Sequence, residues 1–172
     1  MIEPINDSQR AQVVAATERY IALAEKTWRR HFERIPVAFD LSGRSAGMFR
    51  ADGLRSWIRY NPWVFGKYFE ENLAGTVPHE VAHYIVHELY PRRRIRPHGP
   101  QWRQVMQMFD ADPEVTFSLD LSGVPQRRQR RHSYHCGCQA HVLSTTRHNR
   151  VLRGAGRYQC RRCGHDLVYQ EA

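Results

Sequence analysis

Apolar positions between residues 8 and 32 recur at helical spacing. Val13, Ala16, Tyr20, Leu23, Ala24 and Trp28 form one stripe, so the chain opens with an amphipathic helix that Ser8 or Asp7 would cap. Three strand-like runs follow, at 37–39, 46–51 and 56–60. Asp52-Gly53 between the last two is a hairpin signal, because the tight turn needs a backbone conformation that glycine takes freely. Asn61-Pro62 closes the third strand and launches a second helix over 63–72. Ala74-Gly75-Thr76 breaks the pattern and Pro78 follows. Proline is tolerated only in a first turn or at a kink, which predicts a helix that starts or bends near Thr76 and runs to Leu89. The stretch 91–97 reads as a loop. Residues 99–109 read as another helix with Trp102, Val105, Met106 and Phe109 on one face. A connector over 111–126 separates two predicted domains, 1–121 and 127–172, the second a small module.

The buried-looking helix carries His79-Glu80-Val81-Ala82-His83, the HExxH pattern. Residues i and i+4 lie above one another on a helix, so two imidazoles can share one Zn²⁺. Glu80 is rotated too far round to ligate and is placed instead as general base, taking a proton from the attacking water and passing it to the leaving amine. The surrounding Val77, Val81, Ala82, Ile85, Val86 and Leu89 are apolar, and a metal explains why polar side chains should sit among them. A third ligand must come from elsewhere. The metzincin pattern wants Gly and His where this chain has Val86 and Leu89. His87 lies about 12 Å along the axis from His79, too far for one metal, and Glu88 fails for the same reason. His98, beyond the Arg-rich loop and just before Gly99-Pro100, is the best candidate.

The four cysteines fall late, at Cys136, Cys138, Cys160 and Cys163. Their pairing in one short stretch favours a second, structural zinc over disulfides. Cys160-Arg-Arg-Cys163-Gly164 has knuckle spacing, whereas Cys136 and Cys138 are one residue apart. The fourth ligand beside Cys138, Cys160 and Cys163 is therefore Cys136 or, as the alternative, His141. His148, set among arginines, reads as a surface residue.

Composition places the chain among globular proteins. Of 172 residues, 41% are hydrophobic and 25% charged; no apolar run is long enough for a membrane span, and no signal-like segment opens it. The expectation is a cytoplasmic monomer without membrane contact. The formal charge of +9 is unevenly spread: no Asp, Glu or Lys stands between Leu121 and His165. Arginine occurs there at 127, 128, 130, 131, 147, 150, 153, 157, 161 and 162. The guanidinium fork suits phosphate, so the module is a candidate surface for DNA or RNA.

Val77-Pro-His-Glu-Val-Ala-His83, His98-Gly99-Pro100 and Trp102 together resemble the SprT family, which includes bacterial SprT proteins and the Spartan-type DNA–protein crosslink proteases. Ser45-Ala-Gly47, Tyr60-Asn-Pro62, Tyr134-His-Cys-Gly-Cys-Gln-Ala-His141, Arg147-His-Asn-Arg-Val151 and Cys160-Arg-Arg-Cys-Gly164 extend the match over roughly residues 10–170. Trp102 stands where Phe is common, a change expected to leave the metal geometry intact. The resemblance implies an α+β fold: a minimal gluzincin-like zincin core with a short antiparallel sheet and the HExxH helix, then a C-terminal zinc ribbon. It also implies a zinc endopeptidase acting on DNA-associated, including DNA-crosslinked, proteins. The competing reading is a nucleic-acid-binding protein whose HExxH metal is not catalytic; Glu80 argues against it, since a structural site has no use for that carboxylate.

Overall fold

The computed structural model describes residues 2–53, 55–91, 93, 95–113, 119–126 and 130–170. It is a mixed α and β structure that divides into two compact units, Met1–Gln126 and Arg127–Ala172.

In the first unit α1 spans Asp7–Trp28. Its cap, Asn6, lies before both predicted ones. The Asn6 side chain accepts from the Gln9 N–H at 2.9 Å, and the Gln9 side chain accepts from the Asn6 N–H at 3.1 Å. This reciprocal pair satisfies two donors that a helix start otherwise orphans. The helix also stops short of Phe32, because Arg29 turns left-handed at φ 48°.

Strands β1 (Val37–Ala38), β2 (Gly47–Asp52) and β3 (Arg55–Tyr60) form a sheet in the order β1-β3-β2. β2 and β3 make the antiparallel hairpin, with Asp52 opposite Arg55. The sheet is mixed where an antiparallel one was expected: β1 runs parallel to β3, Val37 opposite Ile58. The loop after β1 carries the chain to the far edge of the sheet, so β1 and β3 end up pointing the same way. β2 is left as an edge strand. Ile58 sends its N–H to Pro36 on the other side, so its partner Phe49 faces that free edge.

α2 (Pro62–Lys67) begins at the buried Asn61, whose side chain accepts from Trp63 and Val64 and donates to the carbonyls of Gly43 and Ser45. The short α3 (Phe69–Glu71) leads into a wide π-turn at Asn72–Thr76, and α4 (Val77–Leu89) continues from it. The predicted break is thus an expanded turn rather than a gap. Pro78 cannot donate to the carbonyl of residue 74 and its ring crowds that group, and a wider turn accommodates both. Buried Asn72 braces the turn, donating to Tyr68 O at 2.6 Å and accepting from the Thr76 hydroxyl at 2.7 Å. α4 is the spine of the core. Its Val77, Val81, Ala82 and Ile85 are wholly buried against α1, the sheet and α5 (Pro100–Met108). After the predicted connector's residues 114–118, which lie outside the described residues, the chain folds back on α2. Val124 packs with Ala46 and Val64, and Lys67 Nζ donates to the carbonyls of Asp120 at 2.7 Å and Ser122 at 2.8 Å.

The second unit holds β4 (Arg131–His135), β5 (Ala140–Ser144), α6 (Thr145–Leu152) and β6 (Val168–Tyr169), its sheet ordered β5-β4-β6 and antiparallel throughout. His148 is not at the surface as predicted. It is 6% exposed and stacks on His132 at 3.7 Å and 8°, with its Nδ1 3.0 Å from the Tyr134 hydroxyl. So short a unit has few large aliphatic residues, and aromatic rings fill the space between α6 and the sheet. Among the described residues of both units, no helix is long and apolar enough to cross a membrane.

Candidate metal centre and active site

α4 stacks His79 and His83 on one face, and the segment before α5 brings His98 over them. Their Nε2 atoms lie 3.2 Å (79–83), 3.0 Å (83–98) and 3.0 Å (79–98) apart. Burial lowers the pKa of His79 to about 4 and, with help from His79 and His98, that of His83 to about 3. His98 is lowered too, by burial and by Arg103. Three neutral imidazoles then turn nitrogen atoms toward one point, where they cannot all hydrogen-bond to one another. A cation at that point resolves the conflict: tetrahedral Zn²⁺ with Zn–N near 2.0–2.1 Å sets its ligand nitrogens about 3.3 Å apart. The residues fit the ion. His98 reaches this position from a left-handed backbone, φ 55°, which costs a non-glycine residue about 1 kcal/mol and marks an imposed conformation.

Glu80 is 7% exposed and points to the sheet rather than into the cluster of nitrogens. Its Oε2 accepts from the Phe49 N–H of edge strand β2 at 2.7 Å, while Oε1 has no hydrogen bond among the described residues. Burial raises the carboxyl to about 7, and the Phe49 bond works against that rise. The close approach of strand and helix depends on Gly47. A Cβ there would lie 2.7 Å from Glu80 Cγ and 2.7 Å from Thr76 Cγ2. Sequence reasoning missed Gly47 and Phe49 as parts of the site. The hairpin signal located β2 but carried nothing about which helix it would flank.

These groups open on a cleft of about 530 Å³ whose walls include Phe49 and Met48 on β2, Val86 on α4, Tyr90 just past its end, and Ile95 with Arg96 on the loop. His87 lines the cleft against Phe49, ring centroids 5.6 Å apart, and is not one of the three clustered histidines. Trp102 underlies the cluster, with ring centroids 4.8, 5.7 and 4.7 Å from His79, His83 and His98.

In the second unit, the sulfur atoms of Cys136, Cys138, Cys160 and Cys163 all lie within 4.8 Å of one another. The Cys138–Cys160 separation of 3.7 Å matches the spacing of about 3.8 Å between thiolates of a tetrahedral zinc site. Gly137 at φ 84° and Gly164 at φ 74° make the tight turns that let each pair converge. His141 Nε2 stands 3.2 Å from Cys136 Sγ, and this hydrogen bond raises the His141 pKa. That position makes His141 a donor to Cys136, beside a group of four sulfurs that could hold an ion. Of the ten arginines, Arg127 and Arg128 lie outside the described residues; the other eight are exposed.

The SprT-like family matches residues 17–121. "Protein SprT" of Vibrio parahaemolyticus is 35% identical over 87% of this chain and 87% of its own length. The proteins of that name from Pasteurella multocida (33%; 92% and 93%) and Pseudomonas paraeruginosa (37%; 90% and 92%) extend the likeness across both units. No solved structure matches the chain. A match over most of the first unit, together with relatives above 30% identity along nearly the whole length, places this chain in the SprT-like family.

Proposed function

We propose that the protein is a zinc metalloendopeptidase with a gluzincin-like core, acting on DNA-associated proteins. One observation carries the reading: three imidazole nitrogens converge within 3.0–3.2 Å at an open cleft, beside a buried carboxylate that does not join them. When bound, Zn²⁺ supplies a Lewis acid that polarises the scissile carbonyl and makes a water acidic enough to deprotonate near neutral pH. His79, His83 and His98 hold the ion. Glu80 accepts the water's proton at Oε1 and delivers it to the departing amine, while the Phe49 N–H keeps Oε2 in place. The free edge of β2 runs along the cleft and offers backbone groups to an extended substrate, which aligns the scissile bond with that carboxylate. In the second unit, Cys136, Cys138, Cys160 and Cys163 hold a structural zinc with His141 donating to Cys136. The arginines around them bind the phosphates of DNA or RNA.

Family membership supports the peptidase reading, and the unbroken run without acidic residues supports the nucleic-acid contact. The test is incubation of a DNA-binding protein with the purified enzyme, with and without DNA. Cleavage that rises when both proteins share the DNA is expected. No cleavage in either arm would refute the reading.

A further inference from the structure

Trp102 is buried, 1% exposed, and its ring touches all three histidines of the cluster. It meets His79 and His98 nearly edge-on, at 64° and 79°. Its indole N–H donates to the His79 carbonyl at 3.3 Å, so one side chain on α5 both packs against the imidazoles and binds the backbone of α4. His98 most needs such support. Its left-handed backbone is set immediately before α5, and Trp102 follows one turn later. Among the described residues the rings packed on that of His98 are those of His79, His83 and Trp102, and its carbonyl receives a 3.4 Å bond from Arg103. Two of those three ring partners are themselves in the cluster. Trp102 is therefore the aromatic ring from outside the cluster that packs on His98 and bears on where its ring points.

We propose that Trp102 is a positioning residue that holds the strained His98, and with it His79, in ligating orientation, and so sets how tightly the metal is retained. The inference rests on the three histidines being the metal site. Nothing in it concerns bulk alone: the edge-on contacts require a flat ring, which phenylalanine supplies and methionine does not. Removing a group that orients metal ligands costs about 10–100-fold in affinity.

The experiment is chelator competition on the full-length, zinc-loaded protein, comparing wild type with Trp102→Met and Trp102→Phe. Cobalt spectra of the same proteins and the thermal midpoint of each metal-free form are recorded in parallel. Methionine fills space flexibly and keeps the core apolar. The expected result is a dissociation constant for one of the two zincs raised about 10–100-fold in Trp102→Met, with altered cobalt bands. Trp102→Phe should hold zinc within about threefold of wild type, on the same scale. The ribbon zinc should be unchanged in both. Zinc held by Trp102→Met within about twofold of wild type would overturn the inference, again on that scale. So would equal losses in Met and Phe that follow their metal-free thermal midpoints, since the residue would then serve the core alone. A wild type that binds one zinc, retained in His79→Ala, would instead remove the metal site on which the inference stands.

Discussion

Glu80 depends on a residue with no side chain. Gly47 lets β2 come so near α4 that Phe49 can donate to the carboxylate, and any Cβ at that position would press on Glu80 Cγ and Thr76 Cγ2. Gly47→Ala should therefore move the carboxylate while sparing the histidines. Activity is expected to fall about 10–100-fold, the cost of misplacing a reacting group by a fraction of an ångström to one ångström, with zinc content unchanged. Zinc analysis and kcat of the variant check it. The convergence of the three histidines was legible in the sequence, because i, i+4 spacing on an apolar helix is a local pattern and His98 followed by eliminating its neighbours. Gly47, Phe49 and the bond from Trp102 to His79 were not. Each joins residues 23 or more positions apart in the chain, and periodicity carries no information about such pairings.

At the level of elements, α4 behaves as its pattern foretold. The helix that starts just before Pro78 and ends at Leu89 matches its apolar run. Its join to the preceding helix did not show in sequence, because a π-turn and a loop share the same break in periodicity. α6 gives the larger surprise. His132 and His148 form the contact between that helix and its sheet, with His132 also 3.2 Å from the Thr145 hydroxyl. Tyr134 and Tyr169 flank the pair, Arg130 is the charged neighbour, and no carboxylate among the described residues faces it. Burial, then His148 and Arg130, lower the pKa of His132. The unfolded chain thus takes up the proton more readily than the folded one. The stability this provides is present above the ordinary imidazole pKa of about 6.5 and is lost as pH falls below it. Amide exchange in α6, corrected for its intrinsic rate, should accelerate as pH falls from about 7 to about 5.5. His132→Phe should abolish that acceleration. A parallel zinc assay separates the effect from metal loss; acceleration only together with zinc release would contradict it.

For the whole molecule, the second unit is expected to be a separable nucleic-acid module. A cut after Leu121 would remove Ser122 and Val124, which the first unit uses to close over α2. A chain ending at Gln126 keeps them and should fold. Full-length protein should bind DNA without sequence preference. With about 4–6 phosphates engaged, affinity should fall about two to three decades between about 50 and 200 mM salt. The 1–126 fragment should show neither the binding nor its salt dependence, and equal binding by both at low salt would reduce the arginines to a solvated surface. The central claim is that Glu80 acts as the base at a zinc held by His79, His83 and His98, and one comparison tests it most directly. Wild type and Glu80→Gln are brought to the same zinc content, near two per chain, and their rates of cleaving a DNA-binding protein are measured. Glu80→Gln keeps the size and polarity of the side chain and removes the proton acceptor, so cleavage should drop by at least about 100-fold with both zincs in place. Cleavage by Glu80→Gln at the wild-type rate would show that the chemistry lies elsewhere.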